Sequence, residues 1–274
     1  MSKWNKPKST AVTATGATVK TSDDWVDATT EFTQRTCIMD IIGAEGTGRT
    51  RLALTAPGPI ALINADEKIN GIVQPFVRKG KSIKVATFGL TATNDKQATL
   101  TAAEMVWAKV RGWMNDSRRW ARTTVFDTAT EGWEVCRLAN FGELNPKGNR
   151  MDRLYGPVNA EFRSTFKAFR IAGVNNLITI HQVKDHYIDK IVNGEQKSIN
   201  TGTTKRAGFE EFGYIADVVI RTGKRLERGE TVFTATIEKG WMNTQLEGVT
   251  LEGNDIRFPY ILSLITETEE SEWA

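Results

Sequence analysis

The chain has 274 residues, of which 25% are charged and 40% hydrophobic, and its formal net charge at pH 7 is +3. This composition is typical of a globular protein, and the length suits one large domain with at most a small appendage. No apolar run reaches the length of a membrane span and the N-terminus lacks a secretory h-region, so we expect a cytoplasmic protein without a membrane partner. Only Cys37 and Cys136 are present, both in apolar segments, which indicates reduced core thiols and argues against a zinc cluster.

The two ends of the chain differ in charge. Residues 1–34 are predicted to form a flexible basic arm, because Lys3, Lys6, Lys8 and Lys20 occur with no acid among the first 20 residues. Residues 266–274 are acidic and are predicted to form a solvated tail. We expect residues 35–265 to form a single core between them.

The core opens with a glycine-rich loop that follows a predicted buried strand at residues 37–42. The loop fits the phosphate-binding pattern G-x-x-x-x-G-K-[ST] at every fixed position but one. Glycines let backbone N–H groups approach phosphate oxygens, and the helix predicted to follow favours an anion at its first turn. We therefore expect the loop to bind ATP, with Thr50 as a ligand of Mg²⁺. The loop residues are Gly43, Ala44, Glu45, Gly46, Thr47, Gly48, Arg49 and Thr50.

Arg49 occupies the position of the pattern's lysine. Arginine carries the same charge on a larger planar fork, so it can contact phosphate but fits less well into the compact pocket around a γ-phosphate. We therefore expect nucleotide binding with weak or slow hydrolysis. The alternative interpretation of the loop is a glycine-rich surface turn.

The rest of the core alternates between strand and helix patterns. Strands are predicted at 59–64, 82–88, 122–128, 176–182, 216–221 and 231–238, and helices at 100–115, around Trp133 and at 159–172. This alternation indicates an α/β fold with a mainly parallel central sheet flanked by helices. Ligands of such sheets bind at the carboxyl ends of the strands.

Polar residues follow three of these predicted strands. Asp127 ends one of them, where an acid can hold the water shell of Mg²⁺. Asp66 and Glu67 end another, where a carboxylate can polarise an attacking water, and Glu131 competes with them for that role. Gln182 ends the third, where its amide can sense the γ-phosphate. Ordinary turn or helix-terminal roles remain the alternative for each.

Two basic segments are predicted to bind nucleic acid. The first, 183–208, is long and contains the hairpin signal Val192-Asn193-Gly194-Glu195, so part of it is expected to form an extended β-arm. The second spans residues 145–155. Such segments neutralise phosphates without reading bases, and His186, Tyr187 and Tyr155 can stack on bases. A solvated surface loop is the alternative for both. The predicted DNA-binding residues are Lys147, Arg150, Arg153, Lys184, Lys190, Lys197, Lys205 and Arg206.

The order of these features resembles the RecA-like recombinase core over roughly residues 35–245. In that family the phosphate loop is followed by a strand that ends in an acidic stretch, here 64–67. Next come a metal-side strand ending in Asp-Ser, here 127–128, and a sensor strand ending in Asn-Gln, here 181–182. The resemblance implies a RecA-like P-loop NTPase core in a homo-oligomer. It also implies that ATP lies between subunits, where Lys239 completes the site of a neighbour.

More narrowly, the chain looks like the Sak-four group of phage RecA-like annealing proteins, in segments 125–134, 155–159 and 233–241. This resemblance implies binding of single-stranded DNA, annealing of complementary strands in phage recombination in the host cytoplasm, and cooperation with a single-strand-binding protein. A weak DNA-dependent ATPase is compatible with annealing, since base pairing is itself downhill. An ATP-driven recombinase or DNA motor and a P-loop kinase acting on a small molecule remain the alternatives.

Overall fold

The computed structural model describes residues 36–65, 69–144, 151–172, 175–192 and 195–274, which form an eight-stranded sheet, a two-stranded sheet and the helices around them. The strands are β1 (Ile38–Gly43), β2 (Ile60–Asn64), β3 (Ile83–Thr87), β4 (Thr123–Asp127), β5 (Asn176–His181), β6 (Val183–Val192), β7 (Glu195–Arg206), β8 (Val218–Glu227), β9 (Glu230–Gly240) and β10 (Thr250–Glu252). The α-helices are α1 (Arg49–Ala53), α2 (Asn70–Arg78), α3 (Lys96–Trp120), α4 (Ala129–Phe141), α5 (Met151–Ala172), α6 (Phe212–Ile215) and α7 (Phe258–Thr266).

The large sheet has the strand order β10-β9-β8-β1-β5-β4-β2-β3. Its strands from β8 to β3 in this order all run parallel, and β9 and β10 continue the sheet in antiparallel pairing. The four strands β1, β2, β4 and β5 are buried along their whole length, as expected for parallel strands that are covered on both faces. The predicted fold class, α/β with a mainly parallel central sheet flanked by helices, is confirmed.

Helices cover both faces of this sheet because successive residues of each strand point to opposite sides. In β1, Met39 and Ile41 pack in a core with α1, α2 and α7. Ile38 and Ile42 pack on the opposite face in a core with α3, α4, α5 and α6. Asp40 lies between Met39 and Ile41 in the sequence and therefore shares the face of the second core.

One helix begins earlier than the sequence pattern predicts. The prediction starts at residue 159, whereas α5 runs Met151–Ala172 and contains Pro157. A proline inside a helix removes a backbone hydrogen bond, which is why the pattern favoured a later start. Buried Val158, Phe162 and Phe166 hold the helix in place, so tertiary packing overrides the local propensity. Part of the predicted basic loop at 145–155 is therefore helical.

The acidic segment 266–274 is not a free solvated tail. Trp273 is only 3% exposed, and its Nε1 donates to Thr266 Oγ1 at 3.1 Å and to Thr268 Oγ1 at 3.2 Å. Arg257 donates to both carboxylate oxygens of Glu270 at 2.7 Å. The charge of this segment predicted a solvated tail, but one buried indole anchors it to the core.

The cysteine prediction is confirmed, since Cys37 and Cys136 are both buried free thiols. Burial raises the pKa of each thiol above its ordinary value. No helix of the described part of the chain is both long enough and apolar enough to cross a bilayer. The predicted basic arm, 1–34, lies outside the described residues.

Candidate functional site

The glycine-rich loop is packed tightly against β8. A β-carbon on Gly43 would lie 2.3 Å from Thr222 Oγ1 and 2.8 Å from the Thr222 carbonyl oxygen. Thr47 Oγ1 donates to the Ala44 carbonyl oxygen at 2.7 Å and also lies 2.7 Å from Thr222 Oγ1. The absence of a side chain at Gly43 therefore lets the loop close directly over its neighbouring strand.

Two further glycines turn the loop into α1. Gly46 and Gly48 have φ values of +71° and +87°, which favour glycine over residues with a side chain. Gly48 is the N-cap of α1 and, as a glycine, supplies no capping oxygen of its own. Backbone N–H groups at the start of a helix have no intrahelical partner, and they suit a phosphate oxygen.

The two predicted metal ligands lie together at the carboxyl ends of the strands. Thr50 Oγ1 donates to Asp127 Oδ2 at 2.7 Å, and Asp127 is 3% exposed at the end of β4. Hydroxyl and carboxylate oxygens are the hard ligands that Mg²⁺ prefers. The donor set therefore fits a magnesium ion held by Thr50, with Asp127 contacting its water shell.

A cleft of about 690 Å³ opens beside the loop. Its volume lies within the usual range for small-molecule sites. Glu131 lies in the wall of this cleft. Its pKa is raised, mainly by burial and to a smaller extent by the charge of Glu134. The lining residues are Gly43, Ala44, Glu45, Arg49, Thr50, Ala65, Asp127, Thr128, Glu131, Gln182 and Val183.

Arg49 reaches from the loop to the end of β5. Its Nη1 donates to the His181 carbonyl oxygen at 2.8 Å. The next residue, Gln182, donates its backbone N–H to Thr130 Oγ1 at 3.0 Å, and its carbonyl accepts from Ala207 N–H at 2.8 Å. Arg49 and Gln182 both line the cleft near the end of β5, beside the base of the β6–β7 hairpin.

Asp66, Glu67 and Lys239 are the other residues that the sequence predicts to act in catalysis. Asp66 and Glu67 fall outside the described residues. Lys239 lies within β9, and its ammonium donates to the carbonyl oxygens of Gly213 at 3.0 Å and Ala216 at 2.6 Å. These carbonyls precede β8 and lie at the amino ends of the parallel strands, whereas the glycine-rich loop follows the carboxyl end of β1. Lys239 is therefore remote from the cleft of its own chain.

The predicted β-arm is confirmed as a hairpin of β6 and β7. We call this hairpin, as distinct from residues 1–34, the arm. Two pairs of lysines lie directly opposite each other in it, Lys184 with Lys205 and Lys190 with Lys197. The first pair shares Glu210, at 2.8 Å from Lys205 and 3.2 Å from Lys184. Hydrogen bonds from Lys205 and Lys184 lower the pKa of Glu210. The second pair lies nearer the tip, where Lys197 also has the carboxylate of Glu195 at 3.5 Å.

The arm also exposes apolar side chains. Tyr187 is 52% exposed and Ile191 is 80% exposed. Tyr155, by contrast, packs its ring against Phe141 with a centroid distance of 5.1 Å. Of the second predicted DNA segment, Lys147 and Arg150 lie outside the described residues, and Arg153 lies in the first turn of α5.

A buried ionic network connects β1, β5 and the arm, and the sequence did not predict it. Asp40 Oδ1 lies 2.6 Å from His181 Nδ1, and Asp40 Oδ2 lies 2.5 Å from Arg206 Nη2. Burial alone would raise the pKa of Asp40, but the charges of His181 and Arg206 hold it below its ordinary value. Arg206 was predicted to contact DNA, whereas its side chain is 13% exposed and pairs within the chain. The signal for this network in the sequence is Asp40, an acid inside the apolar run 37–42.

The fold and this site define an α/β protein with a phosphate-loop-type turn between β1 and α1. Among solved structures, it is similar to the crystal structure of the RadB recombinase, with a TM-score of 0.44 and 14% sequence identity, over 79% of this chain and 86% of that chain. No protein-family model matches the chain, and no curated protein matches it.

Proposed function

We propose that this protein binds ATP with Mg²⁺ in the cleft beside the glycine-rich loop. The observation that carries the proposal is the hydrogen bond between Thr50 and Asp127, directly after a loop with the phosphate-binding spacing. Loop N–H groups hold the phosphates, Thr50 ligates the metal, and Asp127 orients the surrounding water. Bound Mg²⁺ supplies charge neutralisation on the phosphates.

Calorimetric titration of the full chain with ATP tests this proposal, with and without Mg²⁺. We expect saturable binding that requires the metal. A chain that is folded and shows no Mg²⁺-dependent heat of binding would contradict the proposal.

We further propose that ATP turnover is slow. Arg49 is engaged at the His181 carbonyl across the cleft, and its fork is bulkier than the ammonium of a lysine. Asp66 or Glu67 polarises the attacking water, Gln182 senses the γ-phosphate, and Lys239 acts on a neighbouring subunit of a homo-oligomer.

Arg49→Lys is expected to raise steady-state ATP turnover on single-stranded DNA by about 10-fold, or about 1.4 kcal/mol of transition-state stabilisation. The ammonium of a lysine is more compact than the guanidinium, and it is not held at the His181 carbonyl as Arg49 is. It can therefore reach the γ-phosphate. Arg51→Lys is the matched control, since Arg51 is exposed in the same helix. Robust wild-type turnover that does not rise in Arg49→Lys would show that the arginine is no obstacle.

We propose single-stranded DNA as the partner of the arm and strand annealing as the activity, of the RecA-like phage annealing type, with a single-strand-binding protein in cooperation. The tip lysines Lys190 and Lys197 lie opposite each other, with the carboxylate of Glu195 at 3.5 Å from Lys197. A phosphate backbone would add counter-charge to this pair. Exposed Tyr187 offers a ring on which a base can stack. Annealing is downhill, so slow ATP turnover is sufficient.

The double variant Lys190→Gln/Lys197→Gln is expected to weaken binding to single-stranded oligonucleotides at every sequence. The slope of log K against log salt should fall by about 1.4, since each phosphate contact on a single strand contributes about 0.7. Fluorescence anisotropy over a salt series measures both effects. Lys79→Gln/Lys109→Gln removes the same charge from exposed positions outside the arm. Equal losses in the two double variants would exclude the arm as the DNA-binding surface.

A further inference from the structure

The β8–β9 hairpin extends past the glycine-rich loop and places a cation and an aromatic ring against it. Lys224 and Phe233 lie directly opposite each other in the register of β8 and β9. A β-carbon on Gly46 would lie 3.3 Å from Lys224 Nζ, and one on Gly48 would lie 3.7 Å from Phe233 Cδ1. Both side chains therefore lie beside the loop, each next to one of its two glycines of positive φ.

The position of Lys224 follows from the packing of β8. Thr222 lies opposite Gly43 in the sheet, and side chains two residues apart in a strand share a face. Because the Thr222 hydroxyl contacts Thr47 at 2.7 Å, Lys224 projects from the same face over the loop.

Lys224 and the next residue, Arg225, differ in whether they form ion pairs with carboxylates. Arg225 donates to Glu252 at 2.6 and 3.0 Å and to Glu227 at 3.1 Å. For Lys224, no carboxylate of the described ranges lies within ion-pair distance. A compact ammonium with three donors thus stands beside the loop, while its neighbour is committed to two carboxylates.

We propose that Lys224 supplies the lysine that the loop itself lacks and contacts the terminal phosphate of bound ATP. This inference rests on the proposed ATP site. Arg49 occupies the pattern's lysine position but extends to the His181 carbonyl at 2.8 Å, on the β5 side of the cleft. Lys224 approaches Gly46 from the β8 side, so the two cations flank the loop. Phe233, which is 44% exposed, lies beside Gly48 on the same side of the loop.

Calorimetric titration with MgATP and MgADP tests the role of Lys224. We expect Lys224→Gln to weaken MgATP binding by about 10-fold or more, the usual effect of losing a charge-assisted hydrogen bond. MgADP, which lacks the terminal phosphate, should change by less than about 2-fold. Lys224→Arg, which keeps the charge, should retain most of the MgATP affinity.

Arg225→Gln is the matched control, because it removes the same charge one residue away and should leave the MgATP affinity within about 2-fold. Arg49→Lys introduced into Lys224→Gln should restore most of the lost affinity, since it returns a lysine to the loop. Unchanged melting temperatures verify that each variant is folded.

The outcomes separate the two proposals. If the wild-type chain binds no MgATP, both the proposed function and the role of Lys224 fail. If the wild type binds MgATP and Lys224→Gln binds it equally well, only the role of Lys224 fails. An equal loss in Lys224→Gln and Arg225→Gln, or an equal loss for MgATP and MgADP, would also overturn a contact with the terminal phosphate.

Discussion

Asp40→Asn is expected to lower the free energy of unfolding by about 3 kcal/mol, since removing one partner of a buried ion pair leaves the other charge uncompensated. Asp40 is fully buried and contacts both His181 and Arg206. An asparagine has nearly the same shape, so the loss reflects charge rather than a cavity. Urea unfolding at neutral pH measures the effect.

The effect of Asp40 has a defined pH dependence. The pKa of this carboxyl is lowered in the folded protein, so its contribution to stability is present above the unfolded-state value of about 3.9. It is lost as the pH falls through the lower pKa of the folded state. The difference in unfolding free energy between the wild type and Asp40→Asn should therefore narrow in acid.

Two further variants identify the cause. Asp189→Asn removes an exposed carboxylate of the arm and should change stability by less than about 0.5 kcal/mol. Arg206→Met in the Asp40→Asn background should recover part of the loss, because it removes the charge left without a partner. Additive losses in this double variant would show that Asp40 and Arg206 are not coupled.

Thr50→Val is expected to abolish most Mg²⁺-dependent ATP binding, with a loss of at least about 10-fold, the lower range for removing an interaction that supports a metal site. Valine matches threonine in shape but cannot ligate the metal. It also removes the 2.7 Å hydrogen bond to buried Asp127, which should cost about 1 kcal/mol of stability. Titration calorimetry with and without Mg²⁺ separates the two effects, since only the binding loss depends on the metal.

Thr50→Ser is the matched control because it keeps the hydroxyl. We expect it to retain Mg²⁺-dependent binding within a few-fold of the wild type. If Thr50→Val binds MgATP as tightly as Thr50→Ser does, the Thr50 hydroxyl is not a ligand of the metal.

Local patterns carried most of the fold prediction. The apolar runs of β1, β2, β4 and β5 are buried parallel strands, and their length and flanking turns were sufficient to predict them. The same patterns failed where tertiary contacts override local preference. Because of Pro157, the start of α5 was predicted too late in the sequence. Because of the acidic residues around Trp273, a packed segment was predicted to be solvated.

The candidate site was predictable only where a motif or a strand end marked it. Thr50 and Asp127 belong to this class, and the structure brings them into contact. The ion pair of Asp40 with His181 joins residues 141 positions apart, and no local pattern encodes such a contact. Lys224 reaches the loop only because the register of β8 against β1 places it there.

The close contact of Gly43 with Thr222 makes the positions of the loop unequal in their tolerance of substitution. Any side chain at position 43 would meet a backbone carbonyl oxygen 2.8 Å away, and that oxygen cannot move without displacing β8. At position 49 the side chain leaves the loop, and its hydrogen bond to the His181 carbonyl oxygen lies outside the contact between the loop and β8. Exchange of lysine for arginine is therefore compatible with folding at position 49. A motif built on the glycine and on the threonine of the adjacent strand would follow the structural requirement more closely than one built on the lysine.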